Sequence, residues 1–146
     1  REPTDAPLRS RRRRLAAVFR PEAALPEWCK RRNRISDADV RRAAEAFVHM
    51  CARSVAVKGG HPEAPATDLF YDGSDFREFT APRIDTVNTH GTGCTFASAV
   101  AAGLARGMTV TESVALAKDY VTEAIRTSFP IGQGHGPLNH FYKLWE

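Results

Sequence analysis

The sequence predicts a layered α/β fold. Apolar residues at helical spacing over residues 36–51 precede a short Val-rich run at 54–58. Two strand-like segments around an Asp-Gly pair then indicate a hairpin. Two further helical patterns follow, and the order helix, strand, hairpin, helix, helix is typical of part of an α/β domain.

The first helix is predicted to begin at Ser36, whose hydroxyl can cap the free N–H groups of the first turn. Asp37 and Asp39 fall in that turn, where the helix dipole favours carboxylates. The apolar face of the helix consists of Val40, Ala43, Ala44, Phe47 and Cys51. Cys51 is therefore predicted to be a core residue. The run 54–58 predicts a buried parallel strand that ends at the glycine pair 59–60.

The next elements are defined by turn and cap residues. Segments 68–71 and 76–79 flank an Asp-Gly turn at 72–75, which predicts the hairpin. A helix rich in small residues is predicted over 92–106, with Gly107 as its C-cap.

The last predicted helix starts at a capping box, in which Thr109 and Glu112 satisfy each other's free N–H groups. Its apolar stripe consists of Val114, Ala117, Val121, Ala124 and Ile125. A Gly- and Pro-rich tail at 132–140 follows.

The two ends of the chain differ in charge. Residues 1–35 hold eleven Lys and Arg against four Asp and Glu, whereas residues 36–146 hold ten against thirteen. The basic excess behind the net charge of +4 therefore lies in the first segment. Prolines interrupt any longer helix there, so we expect 1–35 to be an irregular, Arg- and Pro-rich segment and 36–146 to be the folded domain.

The four arginines at 11–14 allow an electrostatic contact with nucleic acid or an anionic membrane. No recognition helix, aromatic ladder or zinc pattern accompanies them in the sequence. A solvated arm is therefore the favoured interpretation, and nucleic acid is not an expected partner.

The sequence also bears on compartment. No stretch approaches the roughly 20 apolar residues of a membrane span. The three cysteines, Cys29, Cys51 and Cys94, are an odd number without metal-ligand spacing. We therefore expect a reduced, cytoplasmic compartment and no metal held by side chains.

Residues 91–94, Gly-Thr-Gly-Cys, are the most informative part of the sequence. Two glycines let the backbone approach a ligand closely. The start of the predicted helix aims free N–H groups and a positive dipole end at the same point, which suits a phosphate. Cys94 would lie in the first turn, where a thiol has a raised thiolate fraction and could accept a proton. From this pattern alone, a tight loop with Cys94 packed inside is an equally open interpretation.

Lys58 ends the predicted buried strand beside two glycines, a common ligand-facing position in open α/β sheets. Its ammonium group could contact a nucleotide phosphate, although an exposed lysine at a strand end would give the same pattern. Four of the five histidines lack the helical metal-binding pattern and are expected to lie in loops or to bond the backbone. They are His61, His90, His135 and His140.

Together these residues resemble the hydroxymethylpyrimidine phosphate kinases. Five segments occur here in the order in which that family has them: 57–61, 68–73, 83–86, 89–95 and 134–140. The resemblance runs from about residue 35 to about residue 141 and concerns the C-terminal half of the family. Members are about twice as long, and nothing here matches their N-terminal half, so a truncated gene or a reading-frame change near Ile35 is expected.

The resemblance implies part of a ribokinase-like αβα sandwich that transfers the γ-phosphoryl group of ATP, with Mg²⁺, to a hydroxymethylpyrimidine or its phosphate. It implies that Cys94 is the catalytic base and that the N–H groups of the loop form an anion hole. The implied catalytic residues are Cys94 and Gly93. The implied nucleotide-binding residues are Lys58, Gly91, Thr92 and Gly93.

Other functions stay open. Related pyridoxal-type vitamin kinases share the Gly-Thr-Gly-Cys loop, so pyridoxal is an alternative acceptor. A non-catalytic nucleotide-binding fragment is another alternative, since half a sheet leaves an unpaired edge that could recruit a second copy into a homo-oligomer.

Overall fold

The computed structural model describes residues 17–19, 36–50, 52–59 and 65–144. Within them the fold divides into two units. One takes the described residues up to Gly59 together with Leu69–Glu78, and the other takes 65–68 together with 79–144. The predicted boundary between residues 35 and 36 stays a prediction.

From the first helix onward, the elements follow one another in the order that the sequence predicts. The elements are β1 (Ala17–Phe19), α1 (Asp37–Met50), β2 (Val55–Val57), β3 (Ala66–Tyr71), β4 (Phe76–Ala81), α2 (Thr92–Ala105), α3 (Val110–Arg126) and a 3₁₀ turn (Tyr142–Leu144). The α/β class and the predicted order from α1 to α3 are confirmed. Among the described residues, every helix is too short or too polar to cross a bilayer.

The four strands form one sheet in the order β1-β2-β3-β4. β2 pairs with β1 in parallel and with β3 in the antiparallel sense. The predicted parallel strand is therefore confirmed, and all three of its residues are buried. Its parallel partner, β1, lies inside the segment that was expected to be irregular. Three residues carry too little local pattern to predict a strand, and the pairing with β2 is a long-range contact.

The first unit is organised around the apolar face of α1. Ala44, Val55, Val57 and Leu69 form its buried cluster, with Val40, Phe47, Val48, Ala52, Tyr71 and Phe76 packed against it. Most of the predicted apolar face is therefore confirmed, whereas Cys51 lies outside the described residues.

Ser36 caps α1 as predicted. Its hydroxyl accepts from the Asp39 N–H at 3.2 Å, and its own N–H donates to the Asp39 carboxylate at 3.2 Å. The Ser36 hydroxyl also donates to that carboxylate at 2.7 Å. These hydrogen bonds, together with the Arg42 guanidinium, lower the pKa of Asp39.

The predicted hairpin is formed by β3 and β4. Gly73 supplies the turn at φ +100°. The Asp72 carboxylate accepts from the backbone N–H groups of Asp75 at 2.8 Å and Ser74 at 2.9 Å. These two bonds lower the pKa of Asp72.

In the second unit α2 packs against α3. Gly103 makes the close approach possible, since a Cβ there would lie 2.6 Å from Ser113 Oγ and 2.9 Å from Ser113 Cβ. The predicted stripe of α3 is buried at Val114, Ala117, Val121 and Ala124. Gly107, with φ +87°, follows the C-cap residue Arg106, one residue from the predicted position of the cap.

A buried ion pair joins α3 to the beginning of β3 in the same unit. Lys118 Nζ lies 3.0 Å from Asp68 Oδ2 and donates to the Ala66 carbonyl at 2.5 Å. Both side chains are almost fully buried. Removing one partner would leave the other charge buried and uncompensated, so the pair fixes this end of the strand against the helix.

Candidate functional site

The loop before α2 is shaped by Gly91. Its φ of +84° is left-handed, a conformation that favours glycine, and α2 begins at the next residue. The first intrahelical bond runs from the Thr95 N–H to the Gly91 carbonyl at 2.9 Å. The N–H groups of Gly93 and Cys94 precede that bond and belong to the set that a helix leaves for other acceptors.

This loop is open on the side that a ligand would approach. A Cβ added at Gly91 or at Gly93 would meet no atom within 4 Å. Cys94 is exposed, and the first turn of α2 contains no acidic residue. Of the two interpretations that the sequence left open, the one in which Cys94 is packed inside is wrong. Neither a glycine side chain nor an acid in the first turn therefore hinders an anion at these N–H groups.

The residues just before this loop contact the tail of the chain. The His90 N–H donates to the Gly136 carbonyl at 3.2 Å, and His90 forms an isolated parallel bridge with Pro137. The ring of His135 lies 3.2 Å from the Val87 carbonyl through Nδ1. The residues immediately before the loop are thus fixed by the predicted Gly- and Pro-rich tail.

Asn88 sits at the centre of this contact and is 4% exposed. Its backbone N–H donates to Thr86 Oγ1 at 3.1 Å, and its Nδ2 donates to Ser128 Oγ at 3.3 Å. Its Oδ1 is buried and finds no partner among the described residues. A buried carbonyl oxygen without a donor is unfavourable, so close packing must hold it in place.

An apolar cavity of about 260 Å³ lies beside the tail. It is lined by Phe129, Ile131, Pro137, Leu138, Asn139, His140 and Phe141. Cys94 is not among the lining residues, whereas Pro137 is both a wall of the cavity and the bridge partner of His90.

The predicted site residues fall into two groups. Gly91, Thr92, Gly93 and Cys94 lie together at the start of α2 in the second unit. Lys58 follows β2 in the first unit and is half-buried. The roles of all five residues stay predictions.

Three of these four histidines are described, and they agree with the expectation of loop positions and backbone contacts. His90 and His135 bond the backbone as given above, and His140 lies beside Tyr120, whose hydroxyl donates to the His140 carbonyl at 3.1 Å. His61 lies outside the described residues. Within the part of the chain that the structure describes, no three His, Cys, Asp or Glu residues are grouped as metal ligands would be.

Sequence reasoning missed three residues that shape this unit. Asn88 and Gly136 meet across 48 residues of sequence, and a short polar run and a glycine-rich tail do not show that they touch. Lys118 falls between apolar positions of the α3 stripe, at a place where a lysine is normally exposed. Only the neighbouring Asp68, from the predicted hairpin, could have suggested a buried pair.

Comparison with known proteins identifies relatives of the chain. A hydroxymethylpyrimidine/phosphomethylpyrimidine kinase of Streptomyces coelicolor is 50% identical over 110 residues, which are 75% of this chain and 41% of the relative. The enzyme of that name from Rhizobium meliloti is 47% identical over 136 residues, which are 90% of this chain and 51% of the relative. The chain thus spans about half the length of the curated relatives it matches, or less.

Solved structures agree at the level of fold. The ADP complex of Bacillus subtilis pyridoxal kinase superposes with a TM-score of 0.79 at 32% identity, covering 90% of this chain and 51% of that one. A phosphomethylpyrimidine kinase from Clostridium difficile superposes with a TM-score of 0.57 at 28% identity, covering 75% of this chain and 42% of that one. The ribokinase-like fold that the resemblance implied is therefore confirmed.

The family model described as phosphomethylpyrimidine kinase matches residues 15–139. The match begins twenty residues before the point at which the sequence motifs placed the start of the resemblance, and it includes β1. The start of family similarity at about residue 35 is therefore wrong, whereas the truncated gene or reading-frame change stays a prediction. Because the match takes in most of the chain, the chain belongs to the phosphomethylpyrimidine kinase family.

Proposed function

We propose that this chain supplies the phosphoryl-transfer half of an ATP-dependent kinase that phosphorylates hydroxymethylpyrimidine phosphate in thiamine biosynthesis. The observation that carries the proposal is the open, glycine-lined start of α2 with exposed Cys94 in its first turn. The kinase names of the relatives support the same reaction class.

The loop would act on the migrating phosphoryl group. The N–H groups of Gly93 and Cys94 point along the helix axis to a place where negative charge can gather. Donors fixed before the reaction need no reorganisation when charge develops in the transition state. The Cys94 thiolate would accept the proton of the acceptor hydroxyl as that oxygen attacks phosphorus.

Lys58 would contribute a positive point charge to the nucleotide phosphates. Its position directly after a buried strand restrains the backbone that carries it. Lysine in this role acts through charge and reach, so its loss should weaken nucleotide binding more than it slows the chemical step.

Mg²⁺ would enter with the nucleotide. This ion keeps several waters and usually binds through phosphates and one or two carboxylates. The described residues contain no group of three or more acidic, His or Cys side chains, which fits an ion that the phosphates largely hold. When bound, it would neutralise charge on the phosphate oxygens.

Pyridoxal is the second candidate acceptor. The specific observation is structural, since a pyridoxal kinase superposes better than the phosphomethylpyrimidine kinase quoted above, with TM-scores of 0.79 and 0.57. Sequence favours the pyrimidine, with identities of 50% and 47% to enzymes named for it. We give weight to sequence here because a shared fold hosts several substrates.

A coupled ATPase and kinase assay on the purified chain tests the proposal. We expect acceptor-dependent turnover that is faster with hydroxymethylpyrimidine phosphate than with pyridoxal. ATP binding without turnover, by a soluble oligomer in size-exclusion chromatography, would instead support the non-catalytic fragment.

The nucleotide site is tested separately with Lys58→Ala, which should raise the Kd for ATP. Lys143→Ala is the matched control, since Lys143 is exposed on the terminal 3₁₀ turn and its removal should leave that Kd unchanged. Equal affinity of both variants would remove Lys58 from the site.

A further inference from the structure

Two short segments meet behind the candidate anion hole. We call residues 87–90 the entry segment, since Gly91 follows them directly, and residues 134–137 the clamp segment. Sequence motifs mark both, but neither is explained by the proposed chemistry, because neither contains a proton acceptor or a phosphate donor assigned above.

The segments are joined at both ends of the entry segment. At one end, the ring of His135 contacts the Val87 carbonyl at 3.2 Å. At the other, the His90 N–H donates to the Gly136 carbonyl at 3.2 Å. Two contacts spaced by three residues fix the direction of the chain as it enters the loop, which one contact could not do.

Between these contacts, Gly136 packs directly on Asn88. A Cβ at Gly136 would lie 2.1 Å from Asn88 Oδ1 and 2.8 Å from its Cγ, distances that real Cβ atoms do not show. Both residues are buried, so neither can swing into solvent to make room. A side chain at position 136 must therefore displace the buried Asn88 side chain or the entry segment that carries it, and with that segment Gly91.

The other end of α2 cannot absorb that push. Gly103 is buried against Ser113 with no room for even one methyl group, so α2 is fixed to α3 there. Displacement of the entry segment would thus be taken up in the loop itself, at Gly91–Cys94, where the backbone has open space.

We propose that Gly136 is a positioning residue for phosphoryl transfer: its missing side chain leaves the room that position 88 needs and so keeps the entry segment, and with it the Gly93 and Cys94 N–H groups, in place. The inference rests on the proposed function for its catalytic consequence. Its geometric part, that residue 136 controls the loop through Asn88, stands on contacts alone.

The catalytic consequence falls on turnover. Reacting groups displaced by about 1 Å can lose about 10²-fold in rate. Gly136→Ala should therefore lower kcat by between tenfold and a hundredfold. It should change the KM for ATP much less, since Lys58 would still attract the phosphates of the nucleotide. A residue that only stabilised the fold would not split kcat from KM in this way below the unfolding temperature.

Gly136→Ala is compared with a control variant and a rescue variant. Gly134→Ala is the matched control, because a Cβ there meets no atom within 4 Å. The double variant Asn88→Ala with Gly136→Ala is the rescue, because it removes the two atoms nearest the new Cβ and leaves the Cβ at position 88 at 3.5 Å, an ordinary contact. We expect Gly134→Ala to behave as the parent chain and the double variant to recover most of what Gly136→Ala loses.

A second readout does not depend on kinase activity. The rate of iodoacetamide alkylation at Cys94, resolved from the other cysteines by peptide mass spectrometry, reports the geometry of the loop. It should change in Gly136→Ala and return toward the parent value in the double variant. A parent chain without turnover would overturn the proposed function, while this rate would still decide the positioning role.

An unchanged Cys94 rate in folded Gly136→Ala, or no recovery in the double variant, would overturn the inference. Should Gly136→Ala fail to fold, His135→Ala replaces it, because that side chain is exposed and its loss removes only one contact to the entry segment. We then expect a smaller change in the same direction, and no change in either readout would reject the role of the clamp segment.

Discussion

The two helices of the second unit begin in opposite ways. At the start of α3, the Thr109 hydroxyl accepts from the Glu112 N–H at 3.2 Å, and the Glu112 carboxylate accepts from the Thr109 N–H at 2.8 Å. At the start of α2, Gly91 offers no side-chain cap and the first turn has no acid. One helix therefore has a side-chain cap at its first turn, and the other has none.

The difference shows that a helix start can lack a side-chain cap with only a small loss of stability. Glycine at a helix N-cap is only a few tenths of a kcal/mol less favourable than Ser or Thr. Packing of α2 against α3 can make up such a loss, since helices in proteins derive most of their stability from tertiary contacts. The start of α2 can thus stay uncapped, as the proposed anion site requires.

The strongest test of the comparison removes the thiol from the open end. Cys94→Ala should lower phosphoryl transfer by about 10²–10⁴-fold, the usual contribution of a positioned acid or base. ATP binding should stay nearly intact, because the backbone N–H groups remain. Titration calorimetry and the coupled assay measure the two effects, and equal loss of both would mean that Cys94 is structural.

Gly103→Ala tests whether packing supports both helix starts. A Cβ there meets Ser113 at 2.6 Å, so the variant should be destabilised by about 1–3 kcal/mol, against the usual gain from replacing glycine within a helix. Denaturant unfolding measures the change.

Ser113→Gly should restore part of that stability, because it removes Ser113 Oγ and Cβ, the two atoms nearest the new methyl group, and leaves only Cα at 3.2 Å. No loss of stability in Gly103→Ala would show that α2 and α3 can move apart to make room for the methyl group.

A carboxylate added to the first turn of α2 or of α3 tests whether only α2 affects ATP binding. Thr92→Asp should stabilise α2 by about 0.3–1 kcal/mol through the helix dipole and weaken ATP binding severalfold by repelling phosphate. Thr111→Asp adds the same charge to the first turn of α3 and is the matched control, with unchanged ATP affinity expected. Weakening by both variants would indicate a general charge effect instead of a site at α2.

The smallest effect concerns pH at the capped end. Hydrogen bonds from the side chain and backbone of Thr109 lower the pKa of Glu112 below its ordinary value of 4.5. A carboxylate with a lowered folded pKa contributes stability above its unfolded pKa and loses it as pH falls through the folded one. Glu112→Gln should therefore unfold at a lower temperature than the parent at pH 7, and the gap should close below pH 4.5.

Thermal unfolding between pH 3 and 7 measures that gap. A gap independent of pH would show that the charge of Glu112 does not contribute to the cap.

Much of the fold could be predicted because its signals are local. Caps at Ser36 and Thr109, the Asp-Gly turn and the apolar stripe of α3 each lie within a few residues of the structure they specify. β1 could not be predicted in this way, since three residues become a strand only by pairing with β2. The loop at 91–94 could be predicted as a candidate site for the same reason. Glycine spacing before a helix is a short-range pattern, as a helix cap is.

The sequence by itself determined the type and order of the elements from α1 to α3 and marked the start of α2 as a candidate site. Tertiary structure alone decided that Gly136 faces Asn88, that Gly103 faces Ser113 and that Lys118 is buried against Asp68. The physical reason is range: a helix cap or a turn is stabilised by neighbours in sequence. Close packing and a buried charge depend on atoms that folding brings together from distant parts of the chain.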